Sequence, residues 1–204
     1  MTQTAPHRPT LVLSGTGKTG RRLVERLTRR HIPVRIGSRS AGLPFDREQP
    51  STWGPVFQDA EAAYTHVPDV AVSNRADAIA GVVETALAAG TRRLVLLSRW
   101  GEEKAGACEE IPMSSGADWT ILRASSFSQT SSEGHLLDPV LAGRVMLPAG
   151  DVGEPLNDTD DIAEAADGVE RVLRRPARDF ADYARATAAT GVWAPTDQPD
   201  PGGP

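Results

Sequence analysis

The chain has one cysteine, Cys108, among its 204 residues, which excludes a disulfide framework and a metal site built from cysteines. Its four histidines lie far apart without metal-ligand spacing, so we expect no bound metal. No apolar run approaches the length that crosses a bilayer, and the first residues form no apolar leader. We therefore expect a cytoplasmic protein without a membrane partner.

Basic residues do not predominate, and tyrosine is rare. The net charge of −5 argues against nucleic acid as a partner. The only tyrosines are Tyr64 and Tyr183, and the residues four positions after them are Pro68 and Thr187 rather than lysine. The sequence therefore lacks the Y-x-x-x-K pair, in which tyrosine acts as the general acid of carbonyl reduction.

The strongest positive feature is a glycine loop that follows the apolar run Leu11-Val12-Leu13. In such a loop the first glycine permits the turn, the second lets a pyrophosphate approach the backbone, and the third lets the next helix pack closely. The positive end of that helix attracts the phosphates. We therefore predict that a dinucleotide binds the loop Gly15-Thr16-Gly17-Lys18-Thr19-Gly20.

Two other interpretations of this loop stay open. Gly17-Lys18-Thr19 resembles the end of a triphosphate-binding P-loop, but that motif needs a glycine where Val12 stands. In addition, a later apolar strand runs into Ser98 rather than into an acid suited to magnesium. The alternative without any ligand is a glycine-rich turn that binds nothing.

Strands alternate with helices along most of the chain, which predicts crossover units and a parallel sheet. The predicted strands are Thr10–Ser14, Pro33–Gly37, Ala62–Val67, Arg92–Ser98 and Asp118–Arg123, with weaker candidates at Leu43–Asp46 and Arg144–Leu147. The predicted helices are Lys18–Arg30, Ser51–Phe57, Ser73–Ala89, Glu102–Ser115, a helix from Asp158 or Thr159 to about Arg174, and 178–190. We predict an α/β fold, a Rossmann-type doubly wound parallel sheet with a reduced C-terminal helical subdomain.

The same pattern predicts the organisation of the chain. Residues 1–9 read as a flexible lead-in, and 10–175 as a dinucleotide-binding domain with a small substrate lobe at about 126–158. A C-terminal helix follows over 176–193, and the proline-rich residues 194–204 read as a disordered tail.

The end of the second predicted strand indicates which dinucleotide binds. Dinucleotide sites for NAD place an acid there to accept from the ribose 2′-hydroxyl, whereas this chain has Ser38 and Arg39. A guanidinium beside hydroxyl groups suits a 2′-phosphate, since it offers charge-assisted hydrogen bonds. We therefore expect NADP(H) in preference to NAD(H), with the alternative that Arg39 is a solvated loop charge.

Five segments of the chain carry a family resemblance: LVLSGTGKTGRRL (Leu11–Leu23), VRIGSRSAGLPFDREQPSTW (Val34–Trp53), RRLVLLS (Arg92–Ser98), SGADWTILRASSF (Ser115–Phe127) and DDIA (Asp160–Ala163). In this order they resemble the NmrA-like group of atypical short-chain dehydrogenases/reductases, and within it bacterial proteins described as NAD(P)H:quinone or azo-dye reductase-like. The resemblance implies that Phe45 and Asp46 approach the adenine, that Val67 and Pro68 line its far side, and that Ser98 lies beside the nicotinamide.

The sequence departs from the group in two places. Members usually carry proline directly after the arginine that corresponds to Arg123, where this chain has Ala124. The C-terminal region is also short, since a segment resembling the group's extreme C-terminus follows almost at once after Asp160–Arg175. Much of the substrate-binding lobe is therefore expected to be missing, and we expect the apolar surface left exposed to be covered in a homodimer.

Candidate chemistry lies near the end of the strand Arg92–Ser98. The Ser98 hydroxyl is positioned to orient an acceptor oxygen, or alternatively to cap the next segment. Lys104, with Glu109 and Glu110, lies on the following helix, where a proton donor can project into the site, although an exposed helical face is the alternative. Trp100 and Phe127 are expected either as aromatic walls of a substrate pocket or as core residues.

Three functions follow from these features. The first is an NADPH-dependent oxidoreductase that reduces a quinone-like or aromatic small molecule, because hydride transfer to such an acceptor asks mainly for positioning. The second is a regulatory protein that senses NADP(H) without turnover, favoured by the missing Tyr–Lys pair. The third is a tailoring enzyme, such as a cyclase or isomerase, without net redox change.

Overall fold

The computed structural model describes residues 8–68, 72–146, 153, 155–167 and 180–193. The described chain divides into two compact units, Met1–Ser125 with Thr159–Pro176, and Ser126–Asp158 with Ala177–Pro204. The predicted flexible lead-in falls on residues mostly outside the described ranges, and the predicted tail, 194–204, falls entirely outside them.

A parallel sheet forms the centre of the first unit. Its five strands are β1 (Thr10–Leu13), β2 (Val34–Gly37), β3 (Ala62–His66), β4 (Arg93–Arg99) and β5 (Asp118–Ala124). They lie in the order β2-β1-β3-β4-β5, and every neighbouring pair is parallel. The chain thus moves from β1 to β2 on one side and then crosses to β3 on the other, which is a doubly wound arrangement.

The helices of the first unit are α1 (Lys18–Arg29), α2 (Trp53–Phe57), α3 (Arg75–Ala88), α4 (Glu103–Ser114) and α7 (Thr159–Asp167), with a 3-10 turn at Pro50–Thr52. Successive strand residues face opposite sides of the sheet. Leu11, Leu13 and Ala63 pack in one buried cluster with side chains of α2, α3 and α4. Tyr64 points the other way and donates to Thr19 Oγ1 of α1 at 2.9 Å. The predicted Rossmann-type α/β fold is therefore confirmed.

Ion pairs join α1 to α7 on their facing sides. Arg26 lies 3.2 Å from the Asp167 carboxylate and 3.4 Å from Glu164, and Arg30 lies 2.5 Å from the same Asp167. Arg22 lies 3.3 Å from Asp160. These contacts fix α7 along the helix that starts at the glycine loop, and they show that Arg22 serves packing between helices.

The second unit contains a short parallel pair, β6 (Ser126–Phe127) and β7 (Leu156–Asn157), and the helices α5 (Thr130–Glu133), α6 (Leu137–Leu141) and α8 (Phe180–Ala189). Buried Gln129 donates to Asp158 at 2.8 Å. Trp193 donates from Nε1 to the Ser131 carbonyl oxygen at 3.0 Å, which ties the C-terminal region to α5.

Two weak strand predictions are wrong. Residues 144–146 form no strand, and Leu147 lies outside the described residues. The segment Leu43–Asp46 makes only one isolated bridge, between Ser38 and Pro44, because Pro44 lacks the N–H that would extend a ladder. The predicted helix from Asp158 begins at Thr159 and is described as far as Asp167, so its remainder lies outside the described ranges.

No helix among the described residues is long and apolar enough to span a membrane.

Candidate functional site

The predicted cofactor residues of the first unit meet at one edge of the sheet. Because the strands are parallel, their carboxyl ends lie together. The glycine loop follows β1, Ser38 follows β2, and Val67 follows β3, while Ser98 stands near the end of β4. The strand order reverses between β1 and β3, and open α/β sheets bind ligands outside the carboxyl ends at such a switch point.

The turn of the glycine loop is made by a serine. Ser14 has φ of 56°, in the left-handed region, whereas Gly15, Gly17 and Gly20 have no positive φ. The left-handed residue of the turn is thus Ser14, while Gly15, which was expected to permit the turn, has no positive φ. Gly15 is needed for space instead, since a Cβ there would lie 2.9 Å from the Ile36 side chain.

The third glycine brings the helix against the strand, as expected. A Cβ on Gly20 would overlap the Ser14 carbonyl oxygen and lie 2.9 Å from the Gly15 Cα. Thr16 and Gly17 stand exposed at the crest of the loop. The backbone of the crest is thus open to a ligand, while Gly20 holds α1 directly beneath it.

The start of α1 is suited to an anion. Its N-cap is Gly17, which provides no side-chain cap, and its first turn contains no acidic residue. The first N–H groups of a helix have no intrahelical partner, and the helix dipole adds partial positive charge there. A pyrophosphate fits this position because it accepts from those N–H groups and approaches without meeting a Cβ at Gly17.

Thr19 contributes to this site through its backbone. Its side chain is buried, and its Oγ1 accepts from the Tyr64 hydroxyl. Burial raises the pKa of Tyr64 to about 12, against the opposing effect of that hydrogen bond. Tyr64 therefore stays a neutral hydroxyl that anchors the first turn of α1 to β3.

An open pocket of about 460 Å³ lies beside the loop and the end of β2. Thr16, Ser38 and Ser40 are among its lining residues. Ser38 is buried and its Oγ lies 3.4 Å from Ser40 Oγ, whereas Arg39 is exposed. This is the position where a dinucleotide sheet meets the ribose 2′ substituent.

Phe45 and Asp46 close this side of the sheet. Phe45 is buried in the core, with its ring centroid 6.1 Å from that of Trp53. The Asp46 carbonyl oxygen accepts from Trp53 Nε1 at 2.6 Å, and its carboxylate accepts from the Glu48 N–H at 3.0 Å. Both residues shape the local turn, and their approach to an adenine stays a prediction.

Sequence reasoning missed the residue that follows them. The Arg47 guanidinium reaches the carboxyl end of β3, where it donates to Thr65 Oγ1 and to the His66 carbonyl oxygen, each at 3.1 Å. Its position after the matched Phe45-Asp46 pair was the available signal, but sequence does not show that the side chain is buried.

Ser98 lies near the end of β4 with its side chain buried. Its Oγ has no hydrogen-bond partner of normal geometry, yet it is near enough to Glu109 to contribute a lesser part of that carboxylate's lowered pKa. The hydroxyl is thus adjacent to the carboxylate and buried.

Glu109 is not suited to donate a proton. Arg123 donates two hydrogen bonds to Glu109 Oε2, one from Nε at 2.9 Å and one from Nη2 at 2.5 Å. This pairing, more than any other contact, lowers the pKa of Glu109 below its ordinary value of 4.5. Lys104 and Glu110 are exposed on α4, so a catalytic role for Lys104 stays a prediction.

The remaining predicted residues have different surroundings. Val67 and Pro68 are buried directly after β3, and Trp100 is 68 % exposed after β4. Trp100 is thus not a core residue. Phe127 is half-buried in β6 of the second unit, and its part in a substrate pocket stays a prediction, as does the homodimer.

Two further features carry no candidate site. A cleft of about 790 Å³ is lined by the amino-terminal halves of the strands, from Thr10, Ala62, Arg93 and Asp118 onward, which is the edge opposite to the one where open sheets bind ligands. Within the described ranges, no group of three His, Cys, Asp or Glu side chains could hold a metal ion.

Comparisons with known proteins identify the fold. No protein-family model matches the chain. It is 29 % identical over 174 residues to the uncharacterized oxidoreductase YesF of Bacillus subtilis, and the alignment covers 78 % of this chain. The chain spans 59 % of the length of that relative.

Three solved structures extend the comparison. NADPH-dependent quinone oxidoreductase QOR2 of Escherichia coli, complexed with NADPH, has a TM-score of 0.64 at 18 % identity and covers 89 % of this chain and 75 % of its own. Citrobacter sp. triphenylmethane reductase, complexed with NADP(H), has a TM-score of 0.62 at 16 % identity, and the match covers the same shares of the two chains. The negative transcriptional regulator NmrA has a TM-score of 0.53 at 14 % identity, and the match covers 60 % of this chain and 47 % of NmrA. The predicted resemblance to the NmrA-like group is confirmed at the level of the fold.

The left-handed serine gives a stability prediction. Ser14→Gly should raise the free energy of unfolding by about 0.5–1 kcal/mol, because glycine removes the Cβ clash at positive φ and loses part of that gain to chain entropy. Urea unfolding measures the change. Ser14→Ala is the matched control, since it keeps the Cβ and should not stabilise. Equal stability of the glycine and alanine variants would contradict the assigned strain.

The Glu109–Arg123 pair gives a pH prediction. The folded pKa of Glu109 lies below its unfolded value of 4.5, so its ionised form stabilises the fold above that pH and loses this effect as the pH falls through the folded pKa. Glu109→Gln should therefore lower the free energy of unfolding at pH 7 and differ progressively less from wild type below pH 4.5. Exposed Glu110→Gln is the control. A deficit of Glu109→Gln that is equal at pH 7 and pH 3 would contradict the ionic origin.

Proposed function

We propose that this chain is an NAD(P)H-dependent oxidoreductase that acts on a quinone-like or aromatic small molecule. The observation that carries the proposal is the uncapped, acid-free start of α1 beneath an exposed glycine loop, at the switch point of a parallel sheet. Such a position holds the pyrophosphate of a dinucleotide. The quinone oxidoreductase and the triphenylmethane reductase that share this fold support it.

A bound nicotinamide supplies a hydride in such enzymes, and the chain's residues supply position. The loop crest and the start of α1 hold the phosphates, and Gly20 fixes the height of that helix. The Ser98 hydroxyl lies buried near the end of β4, beside the Glu109 carboxylate. Exposed Trp100, two residues later, offers a flat apolar surface beside it, which suits an aromatic ring.

The preference for NADP(H) belongs to the same proposal. Arg39 is exposed after β2, beside the pocket that Ser38 and Ser40 line. A 2′-phosphate would find an exposed guanidinium and two hydroxyl groups there, and neither Ser38 nor Arg39 is an acid that would repel it. Both solved oxidoreductases named above hold the phosphorylated dinucleotide in their crystals.

A sensor of NADP(H) without turnover is the second candidate. The observation in its favour is the state of Glu109, whose lowered pKa keeps it ionised at neutral pH and unable to donate a proton. With no Y-x-x-x-K pair in the sequence, a reduced acceptor must take its proton from solvent or from a group not yet assigned. The fold of the negative transcriptional regulator NmrA is consistent with such a role.

Steady-state kinetics separates the two candidates. We expect oxidation of NADPH when the purified protein meets a panel of quinones and cationic aromatic dyes, and slower or no oxidation with aliphatic ketones. Ser98→Ala should lower kcat by about tenfold or more while dinucleotide affinity changes little, because the hydroxyl is assigned to the acceptor. Tight NADPH binding without turnover on the whole panel would favour the sensor.

Fluorescence titration tests the cofactor preference. Arg39→Ala should weaken NADPH binding by about tenfold, the range of one charge-assisted contact, and leave NADH binding nearly unchanged. Arg93→Ala removes an exposed arginine near the start of β4, at the opposite edge, and serves as the control. Unchanged NADPH affinity in Arg39→Ala would contradict the assignment of Arg39.

A further inference from the structure

The Arg47 guanidinium lies against the carboxyl end of β3. It belongs to the loop between β2 and the 3-10 turn, and its Nη2 donates to Thr65 Oγ1 and the His66 carbonyl oxygen, both at 3.1 Å. The same nitrogen lies 3.4 Å from His66 Nδ1, and the guanidinium lies 6.0 Å from the Phe45 ring centroid. The side chain is thus fixed against β3 rather than extended into solvent.

The charge of Arg47 has no countercharge among the described residues. Its Nη1 is buried without a hydrogen-bond partner, and the neighbouring Asp46 carboxylate is directed to the Glu48 N–H. Burial lowers the pKa of His66 to about 3, so the imidazole is neutral. Burial also lowers the pKa of Arg47 to about 10, which leaves the guanidinium charged at neutral pH. A charge removed from water is normally paired, so the half-buried Arg47 guanidinium leaves a positive potential at this edge that the described residues do not balance.

The location of that charge is the switch point. Tyr64 pairs with Val12, so Thr65 and His66 lie level with Leu13 and Ser14, where the glycine loop begins. The loop that carries Arg47 is held at the end of β2, since the Phe45 N–H donates to the Ser38 carbonyl oxygen at 3.1 Å. Arg47 therefore joins the segment that follows β2 to the carboxyl end of β3.

We propose that Arg47 recognises a phosphate group of the dinucleotide, as a determinant of affinity additional to the loop and Arg39. This inference rests on the proposed function, because it takes the glycine loop as the dinucleotide site. The phosphate is either the pyrophosphate or the 2′-phosphate, and both present the same chemistry. A half-buried charge acts over several ångströms because its surroundings screen it less than water does, so the effect does not depend on direct contact.

Two variants separate charge from structure. Arg47→Gln keeps an N–H donor toward β3 but removes the charge, and Arg47→Lys keeps the charge but removes the planar fork. Arg47→Met is a second neutral variant whose apolar side chain suits the buried surroundings, should the glutamine variant fail to fold. Arg92→Gln is the control, since Arg92 also donates to a carbonyl oxygen, that of Gly116 at 2.9 Å, but at the opposite edge.

The experiment is titration of each folded variant with NADPH and with NADH, together with a melting curve without ligand. We expect the neutral variant to bind NADPH about tenfold or more weakly, Arg47→Lys to stay within about threefold of wild type, and Arg92→Gln to match wild type. A loss for both dinucleotides assigns the pyrophosphate, and a loss for NADPH alone assigns the 2′-phosphate. Either result supports the proposal.

Other results would overturn it. Affinities of the neutral variant within twofold of wild type mean that the charge plays no part in binding, with the proposed function intact. Equal losses in the neutral and lysine variants mean that Arg47 acts only by shaping the loop. Failure of the wild-type protein to bind either dinucleotide overturns the proposed function, and this inference with it.

Discussion

The contact between the first strand and the first helix is the constraint on which the rest of the structure depends. At Gly20 the backbone of α1 comes so near the Ser14 carbonyl oxygen that any side chain would overlap it. That closeness brings Thr19 under β3, where Tyr64 binds its hydroxyl. It also sets the position of α1, and thereby the ion pairs that Arg22, Arg26 and Arg30 form with α7. A larger residue at Gly20 would move the helix and its ion pairs together.

The loop geometry also explains an otherwise unfavourable residue. Ser14 occupies a left-handed conformation that glycine adopts without strain. There is no room for a Cβ at Gly15 beside Ile36 or at Gly20 beside Ser14 itself, so the loop is closely packed around this residue. Strain at the base of a binding loop is tolerated when the surrounding structure fixes the conformation, and here β2 fixes it through the Ser14 N–H bond to the Gly37 carbonyl oxygen at 2.6 Å.

The elements with strong local signals could be predicted from sequence. Helix α1 ends one residue before its predicted end, and β4 is shifted by one residue, because glycine punctuation and a continuous apolar run determine both. The weak strand at Leu43–Asp46 could not be predicted, since its pairing depends on tertiary neighbours and Pro44 limits it to one bridge. The candidate site divides in the same way. The glycine loop has a motif, whereas the burial of Arg47 and the pairing of Glu109 with Arg123 depend on which strands become neighbours.

The charges at the carboxyl edge of the sheet differ between the glycine loop and the surroundings of Ser98. The chain is acidic overall, with a net charge of −5, yet the switch point combines the positive end of α1 with the unbalanced guanidinium of Arg47. Local fields rather than net charge determine what a crevice attracts, so an anionic ligand is favoured there. Around Ser98 the balance differs, because Glu109 and Arg123 satisfy each other and leave only a neutral hydroxyl. The proposed function therefore favours acceptors that need no strong acid from the protein.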